Sequence, residues 1–329
     1  MGASPSACRL LVSHETPESR PTVSVVVPLF SEARVVPELC RRIREALTSV
    51  AEDYEILLID DGSTDATWTA IREAHDRDPR VRGVALSRNF GHQVALSAAL
   101  DRTNGAVVVM MDGDLKDPPE VVPRLVAKWR EGWDVVYAVK RSRQDSWPMR
   151  LAFGIFHGLF RRIADIQVPL DAGNLSLLSA RVVEVLRVMP ERARYLSGLR
   201  AWVGYRQTGI EFDREPRYDQ RRRMTFPRLV GLALDALFGF SHLPLRVALL
   251  VGLPLSLTAM GIGFWVLYER LFTTNAITGW ASTIASINFI GGAILLTLGV
   301  IGEYVARIYD EVKNRPLYVV REEIGGPGT

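Results

Sequence analysis

The aspartates Asp112 and Asp114, separated by one glycine, offer the clearest chemistry in this chain. An apolar run at 106–111 precedes them, which is too short for a typical helix and fits a strand buried on both faces. Ligands of open α/β sheets bind beyond the carboxyl ends of strands, and Gly113 leaves room for a close approach. Two carboxylates there suit Mg²⁺ or Mn²⁺ holding a diphosphate, whereas an ordinary Asp-Gly turn is the alternative.

Hydrophobic periodicity predicts the elements that position this pair. Short apolar runs alternate with helical stretches between residues 22 and 139, which indicates βαβ units. The expected fold is α/β, a Rossmann-like and mostly parallel sheet flanked by helices. The predicted strands are 23–30, 55–59, 81–86, 106–111 and 134–139. The predicted helices are 35–50, one ending near 78 that Ser63 or Asp65 caps, 91–101 and 119–130.

Acidic or polar residues follow four of the predicted strands. Parallel strands place their carboxyl ends at one edge, so four such sets indicate a binding site rather than loop decoration. No Gly-x-Gly-x-x-Gly follows the first strand and no Gly-Lys-Ser/Thr occurs, which argues against a Rossmann dehydrogenase and a P-loop NTPase. The set comprises Glu32, Asp60, Asp61, Arg88, Asn89, Asp112 and Asp114.

Apolar residues crowd the C-terminal third of the chain. No charged residue occurs at 247–268 or at 280–301, and each run of 22 residues would span about 33 Å as a helix. That length crosses a hydrocarbon core of about 30 Å, so two transmembrane helices are predicted. Two buried core helices are the alternative, although core helices of this length seldom lack a charge.

The charges beside these runs predict their orientation. Both outer ends carry basic residues, whereas the connection carries one acidic and one basic residue, so the spans should form a hairpin with both termini cytoplasmic. We therefore expect a multi-pass protein of the plasma (inner) membrane. The residues used are Arg246 before the first span, Glu269 and Arg270 between the spans, and Arg307, Lys313 and Arg315 after the second.

Composition limits the remaining possibilities. A formal net charge of +3 over 329 residues gives no reason to expect a nucleic-acid partner, and two cysteines, Cys8 and Cys40, suggest no disulfide framework. The basic amphipathic segment 147–164 could lie in the membrane interface or in the core. The predicted organisation is a mobile segment 1–20, a cytoplasmic domain 21–224, an interfacial helix 225–244, a transmembrane hairpin 245–303 and a cytoplasmic tail 304–329.

Four segments together resemble a known family. The segments 24–32, 60–65 (Asp-Asp-Gly-Ser-Thr-Asp) and 112–114 are similar to the signatures of family 2, GT-A-fold glycosyltransferases. Asp-x-Asp-Leu-x-Asp-Pro-Pro-Glu, two C-terminal spans and the closing segment 302–318 narrow the resemblance to bacterial polyprenyl-phosphate glycosyltransferases, relatives of dolichyl-phosphate mannose synthase. The resemblance covers about residues 22–320. It implies that 21–224 is a GT-A catalytic domain and that the enzyme is a hexosyltransferase.

The resemblance also implies a nucleotide-sugar donor site. Asp114 would be the main ligand of a Mg²⁺ or Mn²⁺ ion, and Asp112 would contact that ion or the ribose. The ion would act as a Lewis acid on the leaving diphosphate. The nucleoside would be held by Pro28, Phe30, Glu32 and Asp61, with Asp60, Arg88, Asn89 and Gly113 also in the donor site.

The implied acceptor is a polyprenyl phosphate. A phosphate monoester is mostly a dianion at neutral pH, so a general base is less necessary than for a sugar hydroxyl. Cationic side chains must instead bring two anionic substrates together, and the attack would invert the anomeric carbon. The basic candidates are Lys140, Arg143, Arg150, Arg217 and Arg223, for which a solvated or lipid-facing basic surface is the alternative.

Three positions depart from the family pattern. Lys116 stands where many relatives have Gln, and a protonated lysine cannot ligate a cation. Asn174 stands where many relatives carry Asp, which supports base-free transfer or moves that role to Asp171. In the basic loop, Gln220 and Arg222 replace the usual Gly and Ser.

The expected reaction transfers one sugar, with UDP-glucose as the first guess, to undecaprenyl phosphate at the cytoplasmic membrane face, for modification of a cell-envelope glycan or glycolipid. A GDP-mannose-using synthase and a catalytically weakened nucleotide-sugar-binding scaffold are the alternatives. A homo-tetramer is suggested by the resemblance alone.

Overall fold

The computed structural model describes residues 22–140, 172–192, 194–212 and 279–326, with individual positions between 252 and 272. These residues belong to two compact units, one built on a β-sheet and one that contains the long C-terminal helix. Several predictions fall outside the described residues: segment 1–20, the amphipathic stretch 147–164, the interfacial helix 225–244, most of the first span, and the candidates Arg143, Arg150, Asp171, Arg217 and Arg223.

The first unit is organised around an eight-stranded sheet. Its strand order is β7-β5-β6-β4-β1-β2-β3-β8. Strand β1 pairs in parallel with β2 and β4, and β2 pairs in parallel with β3. The strands are β1 Val23–Leu29, β2 Tyr54–Asp60, β3 Val81–Leu86, β4 Val107–Met110, β5 Val135–Lys140, β6 Ala172–Ser179, β7 Gln207–Phe212 and β8 Val320–Ile324.

Helices follow the first four strands, as βαβ units require. Every residue of β1 to β4 is buried, because helices cover both faces of a parallel sheet. The helices are α1 Val36–Thr48, α2 Thr67–Arg77, α3 His92–Leu100, α4 Val122–Arg130 after a 3₁₀ turn at Pro119–Val121, α5 Ala180–Val188, α6 Leu196–Trp202 and α7 Trp280–Val312. The predicted α/β fold with a mostly parallel sheet is confirmed.

Three strands were not predicted from the sequence. Strand β6 lies between β4 and β5 and pairs antiparallel with both, so β5 is not the direct neighbour of β4. Strand β7 extends the sheet beyond β5. Strand β8, within the predicted tail 304–329, pairs antiparallel with β3 at the opposite end of the sheet. These strands are placed by pairing with partners distant in sequence, which local periodicity does not encode.

The second unit contains α7. Within the described residues, the stretch Phe289–Val312 is long and apolar enough to cross a membrane. Large apolar side chains along it, such as Phe289 and Leu295, are exposed rather than packed in a core. The helix continues past residue 303, where the hairpin was predicted to end. The first predicted span lies mostly outside the described residues, so the hairpin and its orientation stay predictions.

Cys40 on α1 provides a test of the packed core. Its side chain is buried, and burial raises the pKa of the thiol to about 11. Because the thiolate is the reactive form, we expect iodoacetamide to leave native Cys40 unmodified at pH 8 and to alkylate it fully in guanidinium chloride. Mass spectrometry of a Cys8→Ser variant measures this site alone. Rapid labelling of the native protein would show that the Cys40 side chain of α1 is not buried in the core.

Candidate functional site

The carboxyl ends of the central strands meet at one edge of the sheet. The register pairs Leu29 of β1 with Asp60 of β2, and Asp60 with Ala85 of β3. Strand β4 lies on the other side of β1 and ends at Met110, two residues before Asp112. The turns after β1, β2, β3 and β4 are therefore neighbours, as the sequence predicted.

Asp61 joins the turn after β2 to the segment after β3. Its buried carboxylate accepts hydrogen bonds from the backbone N–H groups of Phe90, at 2.8 Å, and Gly91, at 3.0 Å. Burial raises the pKa of Asp61, and these two hydrogen bonds limit the rise. The contacts give Asp61 an architectural role at the site; its predicted contact with the nucleoside stays a prediction.

Gly62 allows the same two segments to touch. Its φ is +68°, and a Cβ atom built there would lie 2.2 Å from the backbone carbon of Arg88. Backbone cannot move aside as a flexible side chain can, so only glycine is compatible with this packing. The Asp-Asp-Gly sequence thus encodes a carboxylate that holds the neighbouring segment and a glycine that admits it.

Gly62→Ala should therefore destabilise the protein more than a change that introduces backbone strain alone. Gly91→Ala is the matched control, because Gly91 has a φ of +97° but a Cβ there would meet nothing within 4 Å. We expect strain to cost about 1–3 kcal/mol in both variants, and the overlap at Gly62 to add about 2 kcal/mol. Urea unfolding of the full-length protein, followed by tryptophan fluorescence, measures both losses of stability. Equal losses in the two variants would contradict the close approach at Gly62.

The turn after β1 is fastened to the turn after β2. Ser31, whose φ is +54°, donates its backbone N–H to the Ser63 hydroxyl at 2.9 Å. The backbone N–H of Glu32 donates to the Thr67 hydroxyl at 2.9 Å. These hydrogen bonds fix the strained turn that carries Phe30 and Glu32. Phe30 is 39% exposed, so its ring is available at the surface of this turn.

Gly113 brings the turn after β4 against the turn after β1. A Cβ atom at this position would lie 2.5 Å from a methyl carbon of Leu29 and 2.8 Å from a carboxylate oxygen of Glu32. It would also lie 3.2 Å from the backbone oxygen of Pro28. The glycine predicted to admit a ligand is thus also required for contact between the two turns.

Asp112 lies in a small polar cluster with His92 and Asn174. One carboxylate oxygen of Asp112 is 3.2 Å from His92 Nε2 and accepts a hydrogen bond from the Asn174 amide at 3.0 Å. The Asn174 amide nitrogen is also 3.0 Å from His92 Nε2. Burial lowers the pKa of His92, but the hydrogen bond to Asp112 and nearby carboxylates outweigh burial and raise it.

His92 was not predicted to be a site residue, because the sequence placed it only within helix 91–101. It is the first residue of α3, which follows the segment that leaves β3 at the same sheet edge. Asn174 reaches Asp112 because β6 is antiparallel to β4 and begins at that edge. The sequence signal for His92 was a histidine in the segment that follows a predicted strand. The position of β6 lets the Asn174 amide donate a hydrogen bond to the Asp112 carboxylate.

Asp114 contacts the residue that departs from the family pattern. Its carboxylate accepts a hydrogen bond from the Lys116 backbone N–H at 3.2 Å and lies 3.5 Å from Lys116 Nζ. The described residues contain no group of three or more His, Cys, Asp or Glu placed to hold a metal ion. Two carboxylates nevertheless fit Mg²⁺ or Mn²⁺, which proteins commonly hold through one or two carboxylates plus substrate phosphates.

The remaining predicted residues lie around this edge. Arg88 stacks over the Phe90 ring at 4.0 Å and donates to the Asn89 backbone oxygen at 3.1 Å. Lys140 ends β5, which runs in the same direction as β4 because both are antiparallel to β6. The basic candidates beyond Lys140 lie outside the described residues.

Known proteins resemble this chain along most of its length. The profile of the family described as glycosyl transferase family 2 matches residues 24–187. A glycosyltransferase of Synechocystis sp., described as uncharacterized, is 40% identical over 91% of this chain and 95% of that protein. The SfII prophage-derived bactoprenol glucosyl transferase of Shigella flexneri is 36% identical over 92% of this chain and 99% of that protein.

A solved structure also aligns with nearly the whole chain. The mannosyltransferase PcManGT from Pyrobaculum calidifontis, in complex with GDP-Man and Mn²⁺, has a TM-score of 0.44 and 18% identity over 89% of this chain and 88% of its own. The family of this chain is shown by its sequence relatives, which cover more than nine-tenths of it, and by the family match. Together they show that the chain belongs to glycosyl transferase family 2 and is a glycosyltransferase.

Proposed function

We propose that this enzyme transfers one hexose from a nucleotide sugar to a polyprenyl phosphate at the cytoplasmic face of the plasma membrane. The observation that carries the proposal is the meeting of the Asp112-Gly113-Asp114 turn with the turns after β1, β2 and β3. The similarity to a protein named bactoprenol glucosyl transferase, over 92% of this chain, supports a polyprenyl acceptor and a glucosyl donor such as UDP-glucose.

The donor is proposed to lie across the ends of the central strands. Asp114 and Asp112 would hold Mg²⁺ or Mn²⁺, which supplies Lewis-acid stabilisation of the departing diphosphate when bound. His92 and Asn174 orient Asp112 through the contacts at 3.2 and 3.0 Å. The nucleoside would lie toward β2 and β3, beside Glu32 and Asp61.

The transfer itself needs one bond to form and one to break. An oxygen of the acceptor phosphate attacks the anomeric carbon, and the bond between that carbon and the donor diphosphate breaks, so the configuration inverts. The acceptor is a dianion at neutral pH, so no proton has to be removed from it. Asn174 cannot accept a proton as a carboxylate would, and its hydrogen bond to Asp112 suits a positioning role instead.

Membrane attachment would bring the enzyme to its lipid substrate. The stretch Phe289–Val312 of α7 has the length and composition of a membrane span, and its large apolar side chains are exposed. We propose that α7 anchors the protein and that the predicted span 247–268 is its partner in a membrane hairpin.

The test is transfer by the purified full-length chain in detergent. We expect radioactive glucose from UDP-glucose to enter an organic-soluble product only when undecaprenyl phosphate and Mg²⁺ or Mn²⁺ are both present. GDP-mannose, in a parallel reaction, distinguishes the mannose synthase alternative. Sugar found on protein or on glycan, with no polyprenyl product from either donor, would refute the proposed acceptor.

A second candidate is a weakened enzyme that binds a nucleotide sugar with little turnover. The 3.5 Å contact between the Lys116 ammonium and the Asp114 carboxylate favours it, because a cationic side chain competes with a metal ion for that carboxylate. Calorimetric binding of UDP without turnover on undecaprenyl phosphate would support this candidate. A Lys116→Gln variant that gains turnover would identify the lysine as the cause.

A further inference from the structure

The C-terminal strand β8 is fastened to the sheet by charged side chains. Glu322 accepts a hydrogen bond from Trp68 Nε1 at 2.9 Å and pairs with Arg72, both on α2. Glu323 lies 3.5 Å from the Arg82 guanidinium. These contacts, with the backbone ladder to β3, fix the position of the residue between Val320 and Glu322.

That residue is Arg321, and it reaches the candidate site. Strand β8 is antiparallel to β3, so it begins at the sheet edge where the other strands end. The Arg321 guanidinium lies 3.6 Å from Oδ2 of Asp60, the last residue of β2. Asp60 is fully buried, and its Oδ2 accepts no hydrogen bond from the residues that the structure describes. The other oxygen of Asp60 accepts a hydrogen bond from the Ser63 backbone N–H.

The two partners differ in their exposure. The Asp60 side chain is 0% exposed and the Arg321 side chain 46%. A guanidinium has five N–H donors, and a pairing through one nitrogen leaves donors for another acceptor. A buried carboxylate that holds a half-exposed guanidinium is an arrangement suited to presenting the outer donors to a ligand.

We propose that Arg321 is a donor-binding residue, positioned by Asp60, whose guanidinium hydrogen-bonds an oxygen at the nucleoside end of the sugar nucleotide. This inference rests on the proposed function for the nature of the ligand. The nucleoside end is chosen because β2, β3 and β8 lie on the side of β1 away from β4, whose turn carries Asp112 and Asp114. Strand β8 is thus part of the donor site, although it follows the membrane segment in the chain.

The experiment measures nucleotide binding by the full-length protein without any acceptor. UDP and GDP are titrated in the presence of Mn²⁺ by calorimetry, against wild type, Arg321→Ala and Arg321→Lys. We expect Arg321→Ala to raise the dissociation constant of the preferred nucleotide about tenfold or more, as loss of a charge-assisted hydrogen bond does. Arg321→Lys keeps the charge but not the planar fork, so its dissociation constant should rise less.

Arg72→Ala is the matched control. It removes an arginine that is 50% exposed and pairs with Glu322, the next residue of the same strand. It should lower the thermal midpoint about as much as Arg321→Ala does and leave nucleotide binding within about twofold of wild type. If Arg321→Ala fails to fold, the comparison of Arg321→Lys with Arg72→Ala still decides.

Three outcomes would overturn the proposal. Unchanged binding by Arg321→Ala, or by Arg321→Lys where the alanine variant is unfolded, removes Arg321 from the site. An equal weakening in Arg72→Ala reduces the effect to docking of β8. If wild type binds neither UDP nor GDP, both this inference and the proposed donor class are overturned. If wild type binds a nucleotide normally but forms no polyprenyl product, only the proposed acceptor is overturned.

Discussion

Replacing Asp114 by alanine should lower the rate of sugar transfer about a hundredfold or more while the protein stays folded. The change removes the proposed main ligand of the metal ion, and groups that stabilise charge in the transition state commonly contribute factors of about 10²–10³. Initial rates at saturating Mn²⁺, and Mn²⁺ binding in the presence of UDP followed by electron paramagnetic resonance, measure the two consequences separately.

Glu120→Ala is the matched control for Asp114→Ala. Glu120 belongs to the same connection between β4 and α4, but its carboxylate pairs with Arg42 on α1 at 2.6 Å. Because that pair is largely exposed on the glutamate side, its loss should cost little stability. We expect its transfer rate to stay within about twofold of wild type. An Asp114→Ala variant with normal transfer would remove the proposed metal site.

His92→Ala and Asn174→Ala should each lower the apparent affinity for Mn²⁺ and the transfer rate about ten- to hundredfold. Both side chains contact one oxygen of Asp112 and hold that carboxylate in one orientation. Loss of residues that orient a metal ligand typically has effects of this size. The measurement is the Mn²⁺ dependence of the rate, and excess Mn²⁺ should recover part of the lost activity.

His75→Ala separates this effect from a general loss of stability. His75 belongs to α2, and its ring Nδ1 lies 2.6 Å from the backbone oxygen of Val81. The control should lower the thermal midpoint without changing the Mn²⁺ dependence. If His92→Ala and Asn174→Ala also keep the wild-type Mn²⁺ dependence, their contacts with Asp112 serve only the fold.

The central half of the sheet was predictable because its signals are local. Strand 81–86 was predicted with the bounds that the structure shows, and the other three central strands to within one residue. Each is a short apolar run between turn residues, and burial on both faces leaves such a run little choice. The polar residues that follow these strands were predicted to lie together for the same reason, since parallel strands end at one edge.

The missed parts depend on partners far away in sequence. His92 gains its interest only from Asp112 and Asn174, which come 20 and 82 positions later in the chain. Strand β6 was assigned to no predicted element, because the polar Asn174 near its start interrupts the apolar run of a strand that pairs on both sides. The departure at Asn174 was noticed from the sequence, but only the structure shows the contact that gives it a positioning role.

The sequence by itself determined the family, the α/β fold and the identity of the Asp112-Gly113-Asp114 turn, because each is written in contiguous residues or in a local period. Only the tertiary structure decided which side chains surround that turn and that β8 completes the sheet beside β3. The physical reason is that a buried carboxylate such as Asp60 and a cation such as Arg321 become neighbours only when the chain folds. Contacts between side chains depend on distance in the folded structure, and the spacing of residues along the chain does not predict that distance.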